Sequence, residues 1–301
     1  MNSAPVRIAG FVVGLAALFA VAVGVGRLVG PIDQPEPAAH ATDGHGDDGG
    51  HGGHEGGTPA ASLPGGLAVS EKGYTLRLER SNAETGRRVP VAFTIEGPDG
   101  APVTAYDVEH EKRLHFIAVR RDGTGFQHVH PILAGDGTWR TRLALTPGDW
   151  RVFADFNPTG GTGTTLGADL AVAGDYRPAR PTPVSTTTTF DDYTVTLDGH
   201  LEPGADARLS LSISRDEQPV TDLQPYLGAY GHLVALREGD LAYLHVHPDG
   251  TPDDGTTAPG PDVVFYAEVP SPGRYRLFLD FRHDGQVHTA EFTVDTHEGH
   301  E

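Results

Sequence analysis

Two stretches of the chain share one pattern at an offset of 117 positions, and that pattern leaves few folds open. Arg113–Pro131 reads RLHFIAVRRDGTGFQHVHP, and Gly231–Pro248 reads GHLVALREGDLAYLHVHP. At that offset His115 falls on His232, Phe126 on Tyr243, His128 on His245, His130 on His247 and Pro131 on Pro248. Each stretch is a pair of short apolar runs around a tight-turn signal, Asp122-Gly123 in one and Gly239-Asp240 in the other, which predicts a β-hairpin. Counting outward from the turns places His115 opposite His130, Val234 opposite His245 and His232 opposite His247. Side chains alternate along a strand, so the three histidines of each hairpin share one face. Opposite residues hold their Cβ atoms about 4.5–5.5 Å apart and diagonal ones about 7–8 Å. At that spacing three imidazoles can converge on one metal ion, with nitrogen–metal bonds of about 2 Å.

The rest of the chain repeats the theme of short strands cut by Gly, Pro and Asp turns. The first set is Tyr74–Arg80, Val89–Glu96, Leu114–Arg121, Phe126–His130, Trp139–Leu145, Trp150–Phe156 and Leu166–Ala173. The second is Tyr193–Gly199, Ala207–Ser214, His232–Glu238, Leu241–His247, Val263–Val269, Arg274–Phe281 and Val287–Val294. Further matches extend the repeat: Gly148–Phe156 (GDWRVFADF) aligns with Gly273–Phe281 (GRYRLFLDF). The expected fold class is all-β, two tandem immunoglobulin-like antiparallel β-sandwich domains, at residues 67–174 and 192–295, joined by a Pro- and Thr-rich linker at 175–191.

Ahead of the sandwiches, Ile8–Gly26 carries no charge across its length. At about 1.5 Å per residue it nearly spans a bilayer core of about 30 Å. Residues 1–30 are read as an N-terminal transmembrane helix or signal segment. An uncleaved anchor is favoured because the nearest small-x-small site, Ala39-His40-Ala41, lies well past the apolar stretch. The expected location is the cell membrane, single-pass, with the sandwiches outside the cytoplasm, or secretion if the segment is cleaved. Residues 31–66 are read as a disordered linker rich in His, Gly and Asp, and residues 296–301 as a His/Glu tail. Both tracts suit loose capture of divalent ions.

Composition narrows the chemistry. The 301 residues carry a net charge of −19, which disfavours nucleic acid as a partner and suits cations. There is no Cys and only the first Met, so thiolate and thioether ligands are absent. A metal site must therefore use imidazole and carboxylate, which suit Zn(II), Cu(II) or Ni(II), with Cu(II) or Zn(II) the expected ion. The candidates are His115, His128 and His130 in the first hairpin and His232, His245 and His247 in the second. Asp155 and Asp280, each set between aromatics in a Phe-x-Asp-Phe strand end, are costly to bury without a partner. They are read as ligands or as acceptors that orient a ligating imidazole. His283 and His288 add candidates to the second domain, while Glu109 and His110 stand near the first set.

An N-terminal anchor, a His-rich linker and small β-sandwiches bearing His232-Leu-Val and His245-x-His247-Pro248 resemble exported bacterial metal-homeostasis proteins of YtkA-like and CopC-like type. The resemblance covers Leu67–Val294 in general pattern and implies an extracytoplasmic metal-binding sandwich. The expected function is membrane-anchored binding of Cu(II) or Zn(II) in metal homeostasis or resistance, with another extracytoplasmic metal-handling protein as a partner. The alternative is a non-catalytic interaction or structural module whose histidines sit in buried polar networks. A metal-dependent enzyme, with three His and an open coordination position, is a third reading. The metal reading also implies that binding weakens as pH falls through the histidine range, because only neutral imidazole ligates.

Overall fold

A strand that is apolar on both faces needs cover on both, and the strands that carry the histidines, Leu114–Arg120 (LHFIAVR) and His232–Arg237 (HLVALR), are of that kind. The computed structural model of the protein describes residues 63–296. The apolar segment 8–26, the linker up to residue 62 and the tail from His297 onward lie outside the described residues.

Each half of the described chain is a pair of sheets around its own core. In the first half one sheet runs in the order Ser70–Glu71, Tyr74–Leu78, Gly86–Glu96, Thr138–Leu145, Ile132–Leu133. It packs on a second sheet ordered Asn82–Ala83, Thr164–Val172, Gly148–Pro158, Leu114–Arg120, Gln127–Val129. Phe93, Phe116, Trp139, Trp150 and Leu166 are among the buried residues between them. In the second half, Thr187–Phe190, Tyr193–Asp198, Asp206–Arg215, Asp262–Glu268 and Val246–Pro248 form one sheet. Tyr243–Leu244, His232–Arg237, Arg274–His283 and Gln286–Asp295 form the other, and Leu209, Phe265, Leu277, Phe281 and Phe292 fill the space. The β-sandwich, immunoglobulin-like character expected from the strand pattern is what these sheets show, and the described residues contain no helix.

The outward faces of the two hairpin-bearing sheets pack on one another and make a third core. Ile117, Val119 and Phe153 come from the first half, and Val234, Leu236, Leu241 and Phe278 from the second. Alternation explains the split: Phe116 and Ala118 point into the first sandwich, and Leu233 and Ala235 into the second. The return arm of each hairpin lies on the central strand of the opposite half. Phe126 stacks on Phe278 with ring centroids 4.0 Å apart, and Tyr243 meets Phe153 at 5.7 Å.

The first hairpin has the expected register, with Phe116 opposite Val129 and Ile117 opposite His128. Its turn is shifted: Gly123 N–H donates to the Arg120 carbonyl at 2.8 Å, with Gly123 and Gly125 in the left-handed region. The second hairpin also starts in register, with Ala235 opposite Leu244 and Leu236 opposite Tyr243. It then departs from expectation. The predicted strand Leu241–His247 is broken, because Leu241 belongs to the loop (φ 62°) and the chain changes sheet after Leu244. Val246–Pro248 pairs with Asp262–Glu268 across the sandwich, and Val246 packs on the core there. In the first half the change of sheet comes only after Pro131, where Ile132–Leu133 joins Thr138–Leu145.

Two segments read as linkers take part in the fold. Gly65 pairs with Tyr243 of the second half, and Gly66 N–H donates to Thr165 O of the first at 2.8 Å. Gly66 has φ +73° and lies against the Phe153 ring so closely that a Cβ would collide with it. Thr187–Phe190, within the segment 175–191, is a strand paired with Tyr193–Asp198.

The shared core predicts that Phe278→Ala removes about 3–5 kcal/mol of stability, read as a lower urea midpoint in a single transition. A loss under about 1 kcal/mol would show that the third core contributes little.

Candidate metal centre

The register places each aspartate between a histidine and a threonine. Asp155 stands opposite His115 on one neighbouring strand and Thr165 on the other. Asp280 stands opposite His232 and Thr289 in the same way. Opposite residues share a face, and here it is the face turned toward the other half. His and Asp are therefore buried between the sandwiches rather than in either sandwich core or on the outer surface.

Three imidazoles converge there. Among the described residues, His115, His128 and His130 form a group whose candidate ligand atoms lie within 4.8 Å of one another. His115 Nδ1 is 3.0 Å from His128 Nε2 and 3.3 Å from His130 Nε2. The nitrogens of a tetrahedral zinc site, with bonds of about 2.0–2.1 Å, would stand about 3.3–3.4 Å apart. His115 is 3% exposed, and the His128 side chain only 1%.

The second nitrogen of two of these rings is already committed. His128 Nδ1–H donates to Asp280 Oδ2 at 2.9 Å, and Thr289 Oγ1–H donates to the other oxygen of that carboxylate at 2.6 Å. His115 Nε2–H donates to the Glu109 carbonyl at 3.2 Å. Because carboxylate and carbonyl oxygens only accept, both protons are fixed on the outer nitrogens when the rings are neutral. His115 Nδ1 and His128 Nε2 then face each other as two lone pairs with no proton between them. A metal-ligating histidine is typically held in this way, by an acceptor on its far nitrogen.

Electrostatics favours neutral rings. Burial, then the neighbouring His128, His110 and Lys112 charges, pushes the His115 pKa down to about 3 against the hydrogen bond to Glu109. Burial and the same neighbourhood lower His130 to about 3. His232 is pushed well below the usual imidazole range, chiefly by desolvation. Its ring stacks on His115 at 5.3 Å with planes 7° apart and lies 4.8 Å from His128. Asp155, which accepts from Thr165 Oγ1 at 2.8 Å, is raised by burial. For His115, His130 and His232, competition from protons therefore moves below the ordinary histidine range that the sequence suggests.

The candidates separate into three groups. His115, His128, His130, His232 and Asp280 are together, and the cluster draws on both halves. His245 and His247 are exposed, with ring centroids 4.1 Å apart. The change of sheet after Leu244 carries them off the strand that would have set them beside His232. His283 and His288 lie on the opposite face of their sheet from Asp280. His283 bonds the Tyr193 hydroxyl at 2.7 Å and Asp222 at 3.1 Å, and His288 packs on Tyr193 and Phe281. The sequence reading did not single out Thr165 and Thr289; their place opposite an aspartate is visible only once the strand partners are known.

Folded-state pKa values near 3 against about 6.5 unfolded mean that the unfolded chain binds more protons between those values. Stability of the metal-free protein should therefore fall as pH drops below about 6.5, with the loss complete near 3. Urea midpoints from pH 7.5 to pH 5, above the carboxylate range, should decline, and H115Q should flatten the slope. A constant midpoint over that range would contradict the buried neutral cluster.

No curated protein matches the chain. Among solved structures, it is similar to the Escherichia coli adhesin FdeC, with 16% identity over 77% of this chain and 66% of that one, at a TM-score of 0.26. It is likewise similar to the Yersinia pseudotuberculosis adhesin InvE, with 14% identity, 76% and 60% coverage and a TM-score of 0.22. The chain thus spans about two-thirds or less of each adhesin chain. A family model matches it twice, over residues 68–174 and again over 187–298, and the chain belongs to that family, described as a domain of unknown function (DUF8832).

Proposed function

We propose that this protein binds one divalent transition metal ion, Zn(II) or Cu(II), between its two sandwiches through His115, His128 and His130. The observation that carries the reading is the pair of facing lone pairs on His115 and His128, with their far nitrogens tied to Glu109 and Asp280. A divalent cation satisfies them both, and imidazole donors without sulfur suit Zn(II) and Cu(II). His232 lines the cluster from the other half, and Asp280 orients His128. The choice between the two metals rests on donor chemistry alone.

The setting completes the proposal. The apolar segment 8–26 anchors the chain in a membrane with the sandwiches outside the cytoplasm. The His-rich tracts at 40–54 and 297–300 gather ions for the folded site, which serves metal homeostasis or resistance and exchanges metal with another extracytoplasmic protein. A second reading is favoured by one distance. The 3.0 Å separation of His115 and His128 also suits a proton, with His128 as an imidazolium donating to both Asp280 and His115. On that reading the cluster is a structural polar network in an interaction module.

Cobalt(II) separates the two, because a four-coordinate Co(II) ion absorbs strongly in the visible. The full chain should develop that band, and Asp280→Asn should weaken Co(II) binding about 10–100-fold while leaving the band's shape unchanged, as loss of an orienting acceptor does. Absence of the band, or unchanged affinity in D280N, would favour the proton-filled network.

A further inference from the structure

The turn that orients His115 also carries a histidine that the buried site leaves unused. The Glu109 carbonyl accepts from His115 Nε2–H, and Glu109 opens the tight turn Glu109–Lys112, closed by two reciprocal backbone hydrogen bonds of 2.9 Å. The two central residues, His110 and Glu111, have φ of 45° and 63°. A turn with positive φ at both central positions is best filled by Asn-Gly. Turn geometry alone therefore does not call for an imidazole at this place.

His110 is exposed, yet its ring centroid lies 6.1 Å from that of His115 and 5.7 Å from that of His232. Two imidazoles on one metal ion, with bonds of about 2.0–2.1 Å, hold their centroids about 5–6 Å apart. His110 is therefore one ligand exchange away from the buried rings, while it stands outside the group of three whose donor atoms converge. It also acts electrostatically in both directions, on His115 and His232 within and on the exposed His247 without. The ring thus lies between solvent and the cluster, against rings from both halves.

We propose that His110 is the entry ligand of the buried site: it takes the divalent ion from solvent and passes it to His115, one imidazole–metal bond breaking as the next forms. The inference rests on the metal-binding reading and adds the route to it. The turn links access to grip. Moving it to open the path also withdraws the Glu109 carbonyl from His115 Nε2, which frees that ring to turn and loosens the ion. Closing it restores the acceptor. His110 touches the ion only in passing, and an interaction made only along the path changes the rates in both directions equally and leaves the equilibrium where it was.

The test is stopped-flow absorbance of Co(II) with the full chain, following growth of the visible band on mixing and its loss to excess EDTA. His110→Asn removes the imidazole and keeps a residue that tolerates the left-handed region; Glu111→Asn is the control on the same turn. H110N should slow growth and loss by the same factor, about tenfold, with the dissociation constant moved less than about twofold, tenfold being the scale on which loss of a metal-site partner is felt. E111N should leave both rates alone. Unchanged rates in H110N would overturn the route and leave the buried site standing. So would faster exchange, which makes His110 an obstruction, or weaker binding at an unchanged loading rate, which makes it a support of the resting site. Exchange slowed as much in E111N as in H110N would place the effect in the turn rather than the imidazole and overturn the proposal. A parent chain that develops no band would overturn the metal-binding reading itself, and the route with it.

Discussion

The hydrogen bond from His128 to Asp280 spans 152 positions of sequence and joins the two sandwiches inside a region almost free of water. Much of the remaining structure depends on it. A carboxylate at that depth is expensive unless its lone pairs are used, and here Thr289 and His128 take both oxygens. With His128 neutral and committed to Asp280, its other nitrogen faces His115 as an acceptor. His115 is itself turned by the Glu109 carbonyl. Two local acceptors on two different elements thereby force lone pairs together, and the cost of that convergence is what a cation would relieve.

The apolar part of the same face keeps this arrangement in place. Ile117, Val119, Phe153, Val234, Leu236 and Phe278 exclude water from the centre of the contact. The crossed pairs Phe126 on Phe278 and Tyr243 on Phe153 bring each hairpin arm over the opposite half. Repetition makes the contact nearly two-fold, with His115 and His232 stacked near its middle. The symmetry stops at the histidine pairs. His128 and His130 remain on their hairpin strand or just past it and are enclosed, whereas His245 and His247 follow a chain that has already changed sheet.

Much of this was legible in the sequence, for reasons that also mark where legibility ended. Turn residues and period-two alternation are local signals, so the strands and both hairpin registers followed from them, as Phe116 opposite Val129 and Ala235 opposite Leu244 show. The break after Leu244 was not legible. The motifs around His128 and His245 are nearly identical, and the difference arises where Val246 finds cover in its own sandwich. Leu114–Arg120 and His232–Arg237 are apolar on both faces, but nothing in those residues says what covers the second face. That the cover was the other half, and that Asp280 would serve His128 rather than its strand neighbour His232, depends on packing between distant faces, which leaves no periodicity to read.

A thermal melt of the full chain with and without Zn(II) tests the buried site most directly. An ion held equally by folded and unfolded chains gives no shift, so His-rich tracts that bind in both states drop out of the measurement. At about 100 times the dissociation constant, an ion bound only by the fold adds about 2.7 kcal/mol. The account predicts a rise in melting temperature that is kept in H245A/H247A and reduced in H128A. A melt that Zn(II) and Cu(II) leave unmoved in the parent chain would contradict it and leave the cluster as a polar network that holds the sandwiches together.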